Sequence, residues 1–88
     1  MSMPPMPASL LALRRDWYRT AARLHALVEV LPEQEADWPP AAAEVWRAGR
    51  ERQARLWAAV WAHPYWAAAP ARARVAERVA LRTVGRTA

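Results

Sequence analysis

The chain contains no cysteine, no lysine and no phenylalanine, and only two glycines in 88 residues. Without cysteine there is no disulfide, no thiolate nucleophile and no Cys-ligated zinc. Two histidines, His25 and His63, are too few for a metal centre, and the glycine count leaves no Gly-rich loop to cradle a phosphate. Ser2 and Ser9 sit near the start, threonines are scattered, and no catalytic constellation is spelled out. The expectation is a protein that is not an enzyme and holds no cofactor or metal. Long apolar runs are also missing. The longest uncharged stretch, Leu56 to Ala71, is broken by Pro64 and Pro70, whereas a membrane-spanning helix takes about 20 apolar residues. Met1 to Ser9 lacks the basic start of a signal peptide. A soluble, cytoplasmic protein is expected.

What is present is alanine, arginine, proline and six tryptophans. That bias fits a GC-rich coding sequence and accounts for arginine in place of lysine, but not for the formal net charge of +5. The charge is uneven. The stretch 32–40 holds Glu33, Glu35 and Asp37 with no base, while 67–88 holds Arg72, Arg74, Arg78, Arg82 and Arg86 against Glu77 alone. A chain this short makes one domain with a thin core. With disulfides and metals excluded, reinforcement must come from large side chains or from self-association.

Hydrophobic periodicity organises the chain into helices. Met1 to Pro7 holds three prolines and no period, so a disordered tail is expected over 1–8 and a single helical domain over 9–88. Leu10, Trp17, Leu24 and Leu31 recur every seven residues, and Leu13, Thr20 and Leu27 form the second seam. This predicts a helix over about 9–31, with Ser9 as its N-cap and Pro32 as its stop. The acidic connector follows. Asp37 is placed to cap the next helix, and Trp38 to fold back on the hairpin end as a plug. Pro39 and Pro40 are tolerated only in a first turn, which sets the start of a second helix over about 40–62. There Val45, Trp46, Gly49, Leu56, Trp57, Val60 and Trp61 share one broad face.

Antiparallel pairing of the two helices sets Leu10 by His63, Leu13 by Val60, Trp17 by Leu56, Thr20 by Gln53, Leu24 by Gly49, Leu27 by Trp46 and Val28 by Val45. Large side chains then meet apolar or small ones, and Thr20 and Gln53 can bond each other. Glycine inside a helix costs about 1 kcal/mol relative to alanine; the Leu24 pairing supplies its reason. A third helix over about 70–84, entered at Pro70 and stopped by Gly85, has a thin stripe of Val75 and Val79, with Leu81 and Val84 off it. The fold expected is all-α: an antiparallel two-helix hairpin plus a shorter C-terminal helix.

The tryptophan stripe reads as core rather than as a binding surface, because apolar residues at helical period normally mark burial. Trp38 and Trp66 lie off the stripe and are the better candidates for exposed anchors or lids. His63-Pro64-Tyr65-Trp66 is the most distinctive motif. With Arg55-Leu56 before it and the Ala- and Arg-rich stretch Ala76 to Arg86 after it, it resembles small uncharacterised actinobacterial (Streptomyces-type) helical proteins in which a helix ends in H-P-[WY]-W. The resemblance spans about half the chain and implies the helical architecture and a bacterial source, without an activity. His63 itself reads as a turn residue capping the last carbonyls of the second helix.

Two surfaces remain as candidates for function. Trp57, Trp61, His63, Tyr65 and Trp66 would serve a protein partner or a second copy of the chain, which makes a small interaction module the leading expectation. Arg72, Arg74, Arg78, Arg82 and Arg86 form a basic ridge that could contact phosphates, making nucleic-acid association the alternative. No Asn, Gln or Ser stands among those arginines to read base edges. Membrane-surface binding is disfavoured by the thin apolar face of the third helix.

Overall fold

The computed structural model describes residues 5–87, with side chains described as far as Arg82. Three helices follow one another: α1 (Ala8–Glu29), α2 (Pro40–Ala62) and α3 (Ala71–Thr87), joined by two short 3-10 turns, Glu35–Asp37 and Pro64–Ala67. No strand occurs among the described residues. The chain runs up α1, down α2 and up α3, in a body measuring 52 × 19 × 15 Å. Part of the expected tail, residues 1–4, lies outside the described residues; Met6 packs against the core.

α1 and α2 form the antiparallel hairpin that the heptad pattern predicts, in the predicted register. A methyl group built on Gly49 would meet Leu24 Cδ2 at 2.5 Å. Trp17 lies 6.2 Å from Trp57, ring centre to ring centre, and Ser9 reaches His63 at 2.9 Å. All three contacts fall within one residue of the pairing read from sequence. The polar layer differs in its bonding. Thr20 and Gln53 are both buried, yet each is satisfied on its own helix: Thr20 Oγ1 donates to the Asp16 carbonyl at 2.8 Å, and Gln53 Oε1 accepts from Arg50 Nη1 at 3.1 Å. A threonine can bond its own preceding turn without reaching across the seam.

Helix ends are handled by backbone and proline more than by caps. α1 begins after Pro7, which stands at the N-cap; Ser9 is one residue inside and is free to bond elsewhere. α2 begins at Pro40 with Pro39 at the N-cap, and no side chain caps it. Asp37 belongs to the preceding 3-10 turn instead of capping α2. Trp38 does plug the connector end of the hairpin: its Nε1 donates to the Pro32 carbonyl at 2.7 Å, and its ring meets Trp46 edge-on at 5.6 Å.

The core is lopsided. Leu10, Trp17, Ala21, Val60, Trp66 and Leu81 form its buried cluster, at the end where α1, α2 and α3 are all present. Beyond Leu24 the molecule is a bare hairpin, and Val28, Val30 and Val45 are exposed. The expectation that Val45 joins the buried face therefore fails, since no third helix reaches that level to cover it.

α3 reverses the expected stripe. Val75 and Val79 are each 58% exposed, while Leu81 is fully buried and Glu77 is 8% exposed. The contact side is the ridge Ala73, Glu77, Leu81, spaced by four as in i±4 ridge packing. Glu77 tips the choice, because Arg14 Nε on α1 donates to its Oε1 at 2.8 Å. A valine-based reading counts apolar residues only and so assigns the charged position to solvent. Gly85 does not stop the helix, which continues to Thr87.

Candidate functional site

The turn that joins α2 to α3 is built by His63 and Trp66. His63 leaves the helix with ψ 134°, so α2 cannot continue, and Pro64 then starts the 3-10 turn. The His63 Nδ1 accepts the backbone N–H of Tyr65 at 3.2 Å. Trp66 turns back under α2, and its Nε1 donates to the Val60 carbonyl at 2.8 Å. That carbonyl also receives the His63 backbone N–H at 3.3 Å. The end of α2 is thus capped by the Trp66 indole, and the His63 ring caps the next turn instead of the carbonyls of α2. Orphan carbonyls at a helix end need such partners.

The ring of His63 bridges two distant segments. Because Nδ1 accepts a hydrogen bond it carries no proton in the neutral ring, so Nε2 bears the hydrogen and donates to Ser9 Oγ at 2.9 Å. A serine–histidine pair in which histidine activates the hydroxyl needs the opposite tautomer, with Nδ1–H held by an acceptor. In the present arrangement the pair ties the start of α1 to the turn. Sequence reading places these two residues 54 positions apart and has no signal to join them beyond the Leu10–His63 pairing.

Trp17, Trp57, Trp61 and Trp66 form one connected cluster, apart from the Trp38–Trp46 pair. Trp57 meets Trp61 at 5.8 Å, Trp61 meets Trp66 at 4.9 Å, and Tyr65 stands edge-on to Trp66 at 5.1 Å. Trp66, a candidate exposed anchor, is only 4% exposed and belongs to the core. Trp57, Trp61, His63 and Tyr65 are half-buried. The five residues are therefore contiguous, with Trp66 underneath and the others at the surface.

α3 starts beside this turn and brings arginines to it. Arg74 and Arg78 rim a depression of about 340 Å³ whose floor is Trp61, His63, Pro64 and Trp66. The Arg78 guanidinium lies 5.2 Å from the Trp61 ring centre, a cation–π contact worth about 0.5–1 kcal/mol at an exposed site. Neither Arg74 nor Arg78 has a carboxylate within reach among the described residues, where Arg14–Glu77 is the one arginine ion pair. Arg72 is exposed. Arg82 lines a different cleft, between α2 and α3. Four-residue spacing drifts around a helix of 3.6 residues per turn, so the ridge divides between two depressions. The Arg86 side chain lies outside the described residues.

No cluster of three or more His, Asp or Glu able to hold a metal ion occurs among the described residues. The acidic trio Glu33, Glu35 and Asp37 is exposed at the opposite end of the hairpin from the arginine-rimmed turn. No described helix is long and apolar enough to cross a membrane.

These features define a small all-α protein: a two-helix hairpin with a third helix laid along the half that holds the buried core. The chain belongs to the family DUF8825, a domain of unknown function, whose description matches residues 9–84. That span runs from the first turn of α1 into the last turn of α3 and takes in α2 and both 3-10 turns. No curated protein matches the chain. No solved structure matches it either.

Proposed function

We propose that this protein is an interaction module that binds an acidic segment of a partner protein at the His63–Trp66 turn. The observation that supports it is the union of two features that sequence holds apart: the half-buried aromatic cluster and the arginines Arg74 and Arg78, which have no carboxylate partner among the described residues, meeting around one depression. Carboxylates would pair with the two guanidinium groups, whose planar forks suit them. An apolar side chain between those carboxylates would rest on Trp61 and Pro64. Aromatic and arginine residues are the commonest energetic centres of protein interfaces. Self-association is the second form of this reading, with the exposed acidic connector of another copy as the partner segment. An actinobacterial source and a cytoplasmic setting belong to the same reading; the GC-rich composition and the H-P-Y-W turn support the first.

The test uses a synthetic peptide, Glu-Glu-Leu-Asp-Glu-Leu, titrated into the intact protein and followed by tryptophan fluorescence at two salt concentrations. Binding should weaken with salt and fall at least tenfold in Arg74→Gln/Arg78→Gln. Equal binding by a lysine-containing peptide, or no effect of the double substitution, would refute the site. Light scattering at high concentration decides self-association. The nucleic-acid alternative predicts instead that single-stranded or duplex DNA binds at low salt, where the phosphate contribution is largest, and that Arg72→Gln and Arg82→Gln weaken it as much as Arg78→Gln.

A further inference from the structure

A second site lies higher on the molecule, where α3 rests on α1 and leaves a gap to α2. The gap is a cleft of about 450 Å³, within the size range of small-molecule sites. Its apolar surface comes from Trp17, Trp57 and Leu81, and its polar groups from Arg50, Gln53 and Arg82. Three observations give this cleft a chemistry. First, its two arginines come from different helices and face it without a carboxylate partner among the described residues. Second, Arg50 is already oriented: its Nη1 donates to buried Gln53, and its guanidinium lies 5.7 Å from the Trp46 ring centre. Third, Trp17 is 4% exposed, and its indole Nε1 is buried with no hydrogen-bond acceptor among the described residues. Leaving a buried donor unpaired costs about 1–3 kcal/mol, and unpaired buried polar groups in native proteins are few.

We propose that this cleft binds a small planar carboxylate, an aromatic acid whose ring lies against the apolar wall of Trp17, Trp57 and Leu81 and whose anionic group is held by Arg50 and Arg82. Flat aromatic surface favours a flat aromatic guest, stacked offset or edge-on. Two guanidinium groups without counter-charge among the described residues favour an anion, and a cation or a neutral sugar would meet like charge or an apolar wall. The site is separate from the His63–Trp66 turn, shares none of Trp61, His63, Arg74 or Arg78 with it, and stands or falls independently of the function proposed above.

The experiment is a titration of the intact ¹⁵N-labelled protein with naphthoate, read on the indole N–H resonances. The Trp17 signal is assigned by its loss in Trp17→Phe, with helical circular dichroism as the check that this variant folds. Naphthoate should move the Trp17 and Trp57 indole signals in a saturable way. Neutral naphthylmethanol should bind at least tenfold more weakly, and Arg50→Gln/Arg82→Gln, both at exposed positions, should weaken naphthoate at least tenfold. Naphthoate that leaves the Trp17 signal still at millimolar concentration, that binds no better than naphthylmethanol, that is indifferent to the double arginine substitution, or that moves only Trp61 and Trp66, overturns the proposal.

Discussion

Gly49 offers the most direct test of the hairpin, because the effect of filling it should reverse sign with its neighbour. Replacing glycine by alanine inside a helix stabilises by about 0.8–1.0 kcal/mol when the methyl has room. Here the new Cβ would stand 2.5 Å from Leu24 Cδ2 and 3.2 Å from Leu24 Cγ. The first contact can be relieved by rotating the end of leucine. The second requires the leucine as a whole to give by a few tenths of an ångström. Such overpacking costs about 1–3 kcal/mol. Leu24 is only half-buried and borders an outer groove, so the lower half of that range applies. Gly49→Ala should therefore destabilise by about 0.5–1 kcal/mol. In a Leu24→Ala background the obstacle is gone, and the same substitution should stabilise by about 0.8 kcal/mol. The coupling energy is the difference, about 1.5 kcal/mol, inside the range for residues in direct contact. Urea unfolding of the four proteins measures it, and 1 kcal/mol should also appear as about 4–8 °C in Tm for a domain of this size. If Gly49→Ala stabilises equally in both backgrounds, α1 and α2 do not approach there and the register is wrong.

Other substitutions probe the remaining contacts. Arg14→Met should cost about 1–2 kcal/mol, because Glu77, at 8% exposure, loses its partner while Arg14 itself is 25% exposed and partly screened; Arg14→Met/Glu77→Leu should return near the parent in denaturant midpoint. Leu81→Ala should cost about 2–4 kcal/mol as a fully buried leucine, whereas Val75→Ala and Val79→Ala should fall within about 0.5 kcal/mol; the opposite ranking would put the valines of α3 on the packed side. Trp66→Phe keeps a ring but loses the bond to the Val60 carbonyl, and should destabilise by about 1–3 kcal/mol in thermal unfolding. Ser9→Ala removes one exposed bond to His63 and should cost about 0.5 kcal/mol or less.

Legibility in the sequence followed the length and regularity of each pattern. Three heptads on α1 and a glycine facing a leucine were enough to set the hairpin and its register. Pro32, Pro39, Pro40 and Pro64 marked the breaks by their missing N–H groups. α3 was legible as a helix but not in its rotation. Its buried side carries Glu77, whose burial depends on Arg14, 63 positions away, and no local pattern records that pair. The same limit explains the capping errors. Asp37 and Ser9 have the right chemistry for N-caps, but the prolines beside them settle the helix starts first. His63 and Trp66 exchanged roles: the indole reached the carbonyl assigned to the imidazole. The candidate site was legible as two lists, the aromatic turn and the arginines. Their meeting around Trp61 follows from the docking of α3, which only the three-dimensional arrangement supplies.

The docking of α3 along α1, away from α2 over much of its length, also sets how the molecule comes apart. α3 is held by Leu81, by the Arg14–Glu77 pair and by the tether of the Trp66 turn, while the seam of α1 and α2 runs from Leu10 to Leu27. Amide protons of α3 should therefore exchange through a partial opening, in which that helix lifts while the hairpin persists, and those of Trp17 and Val60 only with global unfolding. Such a hierarchy makes the third helix a separable cooperative unit. A partner that gripped the arginines of α3 would slow its exchange selectively, turning solvent exchange into a residue-by-residue record of where binding energy enters the fold.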